Sequence, residues 1–220
     1  MATPVIAIDG PAASGKGTLA KRLAAELGYD HLDTGLLYRA VAKKILDAGA
    51  LADDVVVASA MAKALALSDL DAPGLRGEAM GKAASICSCI PEVRQALLDY
   101  QVGFASHPPS GKGAVLDGRD IGTAVCPSAP LKIWMTASAA TRAMRRHAED
   151  PQGPPMEDIL AAIEERDHRE RTRSVSPMVP ASDAKFIDTS DLKAEEAFAL
   201  AKEWAKSLPT PAVTKNRCKP

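Results

Sequence analysis

The sequence predicts an α/β fold in which a parallel sheet of about five strands carries helices on both faces. Short apolar segments alternate with longer amphipathic segments along most of the chain, which is the pattern of strand–helix–strand units. A glycine-rich turn joins the first apolar segment to the first amphipathic one. The length of 220 residues suits one α/β domain with a small insertion.

The first strand leads into a loop with the spacing of a phosphate-binding site. Residues 5–8, VIAI, are typical of a buried parallel strand. Four residues separate Gly10 from Gly15, and Lys16 follows directly. Glycines let backbone N–H groups turn toward an anion, the next helix adds its positive end, and the lysine reaches the β- and γ-phosphates. These features predict the P-loop NTPase fold. The residues of the predicted triphosphate site are Gly10, Pro11, Ala12, Ala13, Ser14, Gly15, Lys16, Gly17 and Thr18.

This loop departs from the simplest pattern, in which a serine or threonine directly follows the lysine. Here Gly17 intervenes and the hydroxyl comes at Thr18. The alternative interpretation is an ordinary strand-to-helix turn with a solvated lysine. Because strand, loop, lysine and helix occur in the required order, nucleotide binding is the stronger interpretation.

The next segments predict a second strand and helix. Residues 29–33 are extended, Thr34 is a good N-cap, and the apolar spacing then predicts a helix that closes at Gly49. Tyr38 and Arg39 lie one turn into this helix. They are either a core-edge tyrosine and a solvated arginine, or they face a second phosphate together with Thr34.

Residues 51–106 predict a helical insertion. The alanine-rich run at 55–67 is expected to be one helix, residues 78–90 another, and Pro91 opens a third. Residues 68–77 form a polar loop. The later HPPSGKG stretch at 107–113 imitates a phosphate loop, but no strand precedes it and no helix follows it, so we expect a surface turn.

The second half of the chain supplies three further strands. Residues 114–116 are apolar and end in Asp117, Gly118, Arg119 and Asp120, and an acidic residue at the end of a buried strand is suited to positioning Mg²⁺ or its water. Strands at 131–135 and 185–188 follow. An amphipathic helix closes the fold, and the tail at 209–220 is expected to fray.

Two arginine-rich helices flank a proline- and glycine-rich hinge at 150–155. The first carries Arg142, Arg145 and Arg146 at spacings that place them on one face. The second carries Arg166, Arg169, Arg171 and Arg173. Neighbouring carboxylates support a solvated, salt-bridged pair of helices as the alternative, but two such helices beside a triphosphate site favour an anion clamp.

Composition excludes several other classes of protein. The formal net charge of −1 gives no global basic field for nucleic acid, and no segment approaches the length of a membrane span. Asp9 and Lys16 interrupt any signal-peptide core, so we expect a cytoplasmic protein. The spacing of the cysteines matches no zinc or redox motif, so we expect reduced thiols that mostly fill the core. These cysteines are Cys87, Cys89, Cys126 and Cys218.

Several motifs together resemble the bacterial cytidylate kinases. They are IAIDGPAASGKGTLAKRLA at 6–24, LDTGLLYRAVA at 32–42, DGRDIGTAVCP at 117–127, LKIWMTAS at 131–138 and RRHAE at 145–149. The arginine-rich helix and the late DTS fit the same family, and the match spans nearly the whole chain in order. Gly17 also fits, because nucleoside monophosphate kinases commonly carry GKG followed by threonine or serine.

The resemblance implies that ATP, with the Mg²⁺ that it carries, phosphorylates CMP or dCMP. It implies catalytic roles for Lys16, Arg119 and Arg173, and it implies that Arg142, Arg145 and Arg146 close over ATP. No metal site of the protein's own is predicted. The residues implied to bind CMP are Thr34, Tyr38, Arg39, Ser85, Arg94, Arg119, Asp120, Arg166, Glu170 and Arg173.

In the family, the positions of Ser85, Arg94 and Asp120 read the cytosine, and those of Thr34, Arg39 and Arg119 hold the acceptor phosphate. Tyr38 matches a position against the acceptor nucleotide, Arg166 one near the sugar and Arg173 one near the transferring group. The family often has an aspartate on the sugar hydroxyl where this chain has Glu170, so the ribose preference is open. The resemblance also implies a monomer.

The resemblance also implies one domain over 1–220. The core would comprise 1–50, 107–140 and 175–208, with an acceptor-binding insert at about 51–106 and a lid at about 141–173. Because residues 68–77 are much shorter than the insert of longer family members, we expect no three-stranded insert sheet.

Three rival functions remain. The first is a kinase of the same fold that acts on UMP, AMP or shikimate, and the cytosine-matching set argues against it. The second is a nucleotide-binding switch protein, although the sequence contains no guanine-reading Asn-Lys-x-Asp motif. The third is a nucleic-acid-binding protein, for which no aromatic platform accompanies the basic helices.

Overall fold

The computed structural model describes residues 3–208, and its centre is one five-stranded sheet. All neighbouring strands pair in parallel, in the order β2-β3-β1-β4-β5. The predicted α/β fold is confirmed. The strands are β1 (Val5–Asp9), β2 (Asp30–Asp33), β3 (Ala114–Gly118), β4 (Leu131–Thr136) and β5 (Lys185–Asp188).

Eight α-helices accompany the sheet in the described part of the chain. Two short turns add to them, a 3₁₀ turn at Leu67–Asp71 and a π-helical turn at Ile121–Val125. The helices are α1 (Lys16–Leu27), α2 (Thr34–Asp47), α3 (Val55–Lys63), α4 (Glu78–Cys87), α5 (Pro91–Ser106), α6 (Ala139–Glu149), α7 (Met156–Thr172) and α8 (Ala194–Ala205).

The side chains of β1 show how helices cover both faces of the sheet. Ile6 and Ile8 point to one face, where they pack in a cluster with residues of α1 and α8. Ala7 points to the other face, into a cluster that includes Leu116 and Ala105 of α5. Successive side chains alternate across a strand, so a strand buried on both faces is apolar throughout.

The segment at 51–106 is helical, as expected, and all five strands of residues 3–208 belong to the one sheet. It has its own core, in which Val93 and Leu97 of α5 pack with Leu37 and Val41 of α2. This core holds α4 and α5 next to α2 beside the carboxyl edge of the sheet. The insertion therefore carries side chains to the same edge as the phosphate loop.

Three expectations about helix ends were wrong. Helix α4 ends at Cys87 instead of reaching Ile90. The N-cap of α2 is Asp33, whose carboxylate accepts the N–H of Leu36. Thr34 is the first helical residue, and its hydroxyl donates to the carbonyl of Asp117 at 2.8 Å. The alanine-rich helix α3 ends at Lys63 instead of reaching Leu67, because the chain turns there into the 3₁₀ segment.

The remaining predictions concern the turn at 107–113, the cysteines, the C-terminal tail and membrane-spanning helices. Residues 107–113 form an irregular turn between α5 and β3, as expected for a surface turn. Cys87, Cys89 and Cys126 are free thiols, and Cys87 and Cys126 are buried. Cys218 and the tail at 209–220 lie outside the described residues. Between residues 3 and 208, no helix combines the length and the apolar character that crossing a membrane requires.

Candidate active site

The loop between β1 and α1 has the shape of a phosphate cradle. Gly10 passes so close to β4 that a β-carbon there would lie 1.9 Å from the carbonyl oxygen of Met135, so only glycine fits. Gly15 adopts a positive φ of 89° at the start of α1, a conformation that glycine takes without steric cost. Ala13 also has a positive φ, of 59°. Such strain is common where a loop is shaped for a ligand.

Lys16 lies at the inner end of this cradle. Its ammonium is buried and donates to the carbonyl of Pro11 at 3.1 Å. Burial, reinforced by the positive charge of Arg119, lowers the pKa of Lys16 to about 7. A bound polyphosphate would restore the charged form, because an anion favours the ammonium.

A cavity of about 470 Å³ extends from this lysine across the carboxyl edge of the sheet. Its size is within the usual range for small-molecule sites. Four of the nine predicted triphosphate residues line it, namely Ala12, Ala13, Lys16 and Gly17. All ten predicted CMP-binding residues line it as well, although they come from α2, α4, α5, α7 and the loops after β3 and α7. The fold therefore brings one continuous site together from distant parts of the chain.

The end of β3 supplies a carboxylate to this cavity. Asp117 is buried, and its Oδ1 lies 2.7 Å from Nε2 of His31. Its Oδ2 lies 3.7 Å from where a β-carbon on Gly17 would be, so the carboxylate faces the phosphate loop. Carboxylate oxygens are ligands that Mg²⁺ prefers. Asp33 lines the same cavity, but no group of three or more His, Cys, Asp or Glu residues within 3–208 is arranged to hold a metal ion.

The predicted cytosine-reading residues converge around Asp120. Its Oδ2 is in a buried contact with Nη2 of Arg94, and its Oδ1 lies 3.5 Å from Nη2 of Arg173. Ser85 lies nearby on α4 and is buried. The ring of Tyr38 packs against Arg94, whose guanidinium carbon is 5.4 Å from the ring centroid. One buried carboxylate thus compensates two buried cations.

A second carboxylate joins two further arginines. Glu170 accepts from Nε of Arg119 at 2.6 Å and from Nε of Arg166 at 2.8 Å, and it is nearly fully buried. Burial alone would raise its pKa, but the two guanidinium charges outweigh that effect and hold the pKa of Glu170 well below its usual range. Nη1 of Arg119 also donates to the carbonyl of Gly118 at 3.2 Å. Nη2 of Arg119 and both outer nitrogens of Arg166 make no hydrogen bond within residues 3–208, and both residues line the cavity.

The three predicted lid arginines make different contacts. Arg142 is buried and forms a bidentate pair with Asp167, at 2.6 and 3.2 Å, which ties α6 to α7. Arg145 donates to the carbonyl and hydroxyl of Thr189. Arg146 alone of the three lines the cavity. Spacings of three and four residues still place them on one side of α6, but the fold offers each arginine a different partner, and their closure over ATP stays a prediction.

Sequence reasoning missed two contributors to the site, Ser88 and Asp9, and it named Arg169 only as part of the anion clamp. Ser88 accepts from Nη1 of Arg173 at 3.4 Å through its hydroxyl, and Nη1 of Arg94 donates to its carbonyl at 3.3 Å. Arg169 of α7 donates to the hydroxyl of Ser85 at 3.2 Å. Asp9, at the end of β1, accepts the N–H groups of Ile121 and Gly122 at 2.8 and 2.7 Å, and burial raises its pKa to about 7.

The signals for Ser88 and Asp9 differed in strength. Ser88 lies one helical turn beyond Ser85, which places both on one side of α4, and this spacing was available in the sequence. Asp9 directly precedes the phosphate loop, but nothing in the sequence pairs it with the turn after Asp120. That contact links the donor loop to the loop that carries Arg119.

Comparisons with known proteins identify the family of this chain. A family model described as cytidylate kinase matches residues 6–207. A cytidylate kinase of Paramagnetospirillum magneticum is 56% identical over 200 residues, covering 90% of this chain and 95% of that protein. One from Rhodospirillum rubrum is 52% identical, with 90% and 94% covered, and one from Methylocella silvestris is 52% identical, with 90% and 91% covered.

A comparison of folds gives a more distant likeness. The crystal structure of an uncharacterized protein from Eubacterium ventriosum matches with a TM-score of 0.53 at 13% identity, covering 94% of this chain and 100% of that chain. At that identity the likeness supports the fold alone. The family assignment rests on the sequence matches, which extend over almost the whole described chain, and by these matches the chain belongs to the cytidylate kinase family.

Proposed function

We propose that the chain transfers the γ-phosphoryl group of MgATP to CMP or dCMP, giving CDP or dCDP and ADP. The observation that carries the proposal is the continuity of one cavity, from Lys16 at the phosphate loop to Ser85, Arg94 and Asp120. A phosphoryl-transfer enzyme needs donor and acceptor in one enclosed site. The family assignment supports the same reaction.

On the donor side, the phosphate loop binds ATP. Residues 10–18 surround the phosphates with backbone N–H groups, and the positive end of α1 adds to their effect. Lys16 carries its charge to the β- and γ-phosphates. Arg142 and Arg145 hold α6 against residues beside this loop, and Arg146 extends from α6 into the cavity.

Magnesium enters as part of the MgATP substrate. Asp117 and Asp33 line the cavity beside the loop and offer carboxylate oxygens to the ion or to its waters. When bound, Mg²⁺ neutralises charge on the donor oxygens. His31 orients Asp117 through the 2.7 Å contact with its Oδ1.

On the acceptor side, arginines hold the phosphate of CMP. Thr34, Arg39 and Arg119 bind it, Arg166 lies toward the sugar, and Arg173 lies near the transferring group. The acceptor phosphate is already an anion, so no strong general base is required. Negative charge spreads over the moving group in the transition state, and positioned cations stabilise it.

Ser85, Arg94 and Asp120 read the base of the acceptor nucleotide. Cytosine presents an amino group, which donates, beside acceptor atoms. The carboxylate of Asp120 accepts from the amino group, while Arg94 and the hydroxyl of Ser85 serve the acceptors. Uracil presents a carbonyl at the place of the amino group and would meet a carboxylate, which repels it. This contrast predicts a preference for CMP over UMP.

The closing helices α6 and α7 exclude water, which would otherwise hydrolyse ATP. We further propose that the enzyme acts as a monomer in the cytoplasm, with no nucleic-acid or membrane partner. The near-zero net charge supports the last two points.

The experiment that tests the function measures ADP release from MgATP with CMP, dCMP, UMP and AMP offered separately. Strong turnover with CMP and weak turnover with UMP and AMP is the expected result. Equal or faster turnover with UMP or AMP would mean that the base-reading residues are misassigned. Slow hydrolysis that no acceptor accelerates would return the chain to the class of nucleotide-binding switches.

A further inference from the structure

Gly81 occupies an unusual position in the middle of α4. Glycine is the poorest helix former after proline, so a glycine in a helix interior calls for a reason. Gly81 has a regular helical conformation and is buried. Backbone freedom therefore does not explain this glycine, and the space beside it becomes the relevant feature.

That space is filled by two guanidinium groups. A β-carbon at position 81 would lie 3.1 Å from Nη2 of Arg39 and 3.3 Å from Nη1 of Arg166. Both distances are shorter than ordinary van der Waals contacts of carbon. The two nitrogens belong to α2 and α7 and meet over the same backbone position of α4. A side chain at position 81 would have to push at least one of them away.

Neither guanidinium is free to retreat. Nη1 of Arg39 donates to the carbonyl oxygens of Leu75 and Gly77, at 2.8 and 3.1 Å. Nε of Arg166 donates to Glu170 at 2.8 Å. A movement away from Gly81 would stretch one of these hydrogen bonds.

Only one of these two like charges has a carboxylate partner: Glu170 pairs with Arg166, whereas Arg39 forms no ion pair within residues 3–208 and donates to backbone carbonyls. Burial lowers the pKa of Arg39 to about 10, with a further contribution from the charge of Arg166. Both arginines line the cavity. A group with two negative charges and several acceptor oxygens, such as a phosphate monoester, would relieve the repulsion and use the free outer nitrogens.

We propose that Gly81 is a positioning residue for the acceptor phosphate, because its missing side chain lets Arg39 and Arg166 form a two-guanidinium clamp in which Arg166 holds the phosphate from its sugar side. This proposal rests on the proposed function, which identifies that phosphate as the phosphate of CMP. It adds a residue that itself touches no substrate and acts only through the two arginines.

The test substitutes Gly81→Ala and compares it with Gly103→Ala. Gly103 is a matched control because it also lies inside a helix, α5, where a β-carbon would have no atom within 4 Å. Alanine favours both helices equally, so we expect Gly103→Ala to raise the Tm by about 2 °C and leave the kinetics unchanged. Gly81→Ala should raise the KM for CMP about fivefold, because displacing positioned groups by a fraction of an ångström is costly. It should not lower the Tm, and the KM for ATP should stay the same.

A larger substitution sharpens the result. Gly81→Val should raise the KM for CMP further than Gly81→Ala does, whereas Gly103→Val should again leave it unchanged. A wild-type KM for CMP in Gly81→Ala overturns the proposal, provided that the wild-type enzyme phosphorylates CMP. A lower Tm together with equal losses toward CMP and ATP also overturns it, since the glycine would then serve helix packing. If the wild-type protein does not phosphorylate CMP, the proposed function fails and the clamp loses its ligand.

Discussion

The donor and acceptor halves of the cavity are built in different ways. The donor half comes from one stretch of chain, residues 10–18, and its shape is set by backbone conformation at Gly10 and Gly15. The acceptor half consists of side chains from α2, α4, α5, α7 and the loops after β3 and α7. Local sequence is therefore enough to predict the first half, whereas only the folded chain brings the second half together.

The two halves also compensate their buried charges differently. The ammonium of Lys16 donates to a backbone carbonyl and forms no ion pair among the described residues. In the acceptor half, Asp120 lies between two arginines and Glu170 between two others. A change on the donor side should thus affect turnover with little effect on folding, while loss of an acceptor carboxylate leaves two buried cations without a partner.

The largest effect is expected at Lys16. Lys16→Ala removes the charge that reaches the β- and γ-phosphates, and we expect turnover with CMP to fall about 10²- to 10³-fold, as for loss of other transition-state donors. The Tm should change little, because the buried ammonium has no ion-pair partner to leave behind. Steady-state ADP release and thermal unfolding measure the two quantities.

A matched control exists in the turn at 107–113. Lys112 lies in a similar Ser-Gly-Lys-Gly stretch but is exposed, so Lys112→Ala should leave turnover unchanged. Wild-type turnover in Lys16→Ala would remove the phosphate loop from the mechanism and erase the contrast between the two halves.

Asp120→Asn tests the acceptor half at its most buried ion pair. The substitution removes a negative charge between Arg94 and Arg173, and breaking such a pair on one side is costly. We expect kcat/KM for CMP to fall about 10²-fold and the unfolding free energy to fall by about 2 kcal/mol. An amide nitrogen can donate to the carbonyl of uracil, so the preference for CMP over UMP should also decrease.

The control for this substitution is Asp53→Asn, which changes an exposed aspartate. It should alter neither the kinetics nor the stability. If Asp120→Asn kept its full discrimination between CMP and UMP, the carboxylate would not read the base, and its role would be confined to compensating the arginines.

Glu170→Gln is expected to have a smaller effect. Both carboxylate oxygens already accept from Arg119 and Arg166, so the neutral amide offers one acceptor where the arginines need two. We expect kcat/KM to fall about tenfold, by a similar factor for CMP, dCMP and 2′,3′-dideoxy-CMP. Parallel assays of the three acceptors provide the measurement, with Glu164→Gln, on an exposed site of the same helix, as the control.

A loss confined to acceptors that carry sugar hydroxyls would give the opposite assignment. Glu170 would then contact the sugar, as the family resemblance implies for this position, and its pairing with the two arginines would be secondary. The relative losses therefore separate a residue that orients arginines from one that reads ribose.

The contrast between the halves also explains what the sequence could predict. β5 was predicted at its observed residues, Lys185–Asp188, and the phosphate loop was predicted from spacing alone, because both depend on neighbouring residues. The pair of Arg119 and Glu170 spans 51 residues, and that of Arg142 and Asp167 joins two helices across the hinge. Except for Arg166 and Glu170, which are four residues apart on α7, no local pattern indicates which carboxylate meets which arginine. The family resemblance therefore named most acceptor residues without their contacts.

The mildest test concerns the proton on Lys16 and needs no change in turnover. Because burial lowers the pKa of Lys16 to about 7 in the free protein, about half of the molecules carry a neutral lysine at pH 7. Bound triphosphate raises that pKa, so binding should take up about half a proton at pH 7, nearly one at pH 8 and almost none at pH 5.5. Calorimetry of nucleotide binding in buffers of different ionisation enthalpy measures this uptake, and Lys16→Met should abolish it. Uptake that persists in the methionine variant would place the titrating group elsewhere. Loss of the uptake would show that Lys16 becomes fully charged only when its ligand arrives, whereas within residues 3–208 four of the five acceptor arginines, all but Arg39, already have carboxylate partners.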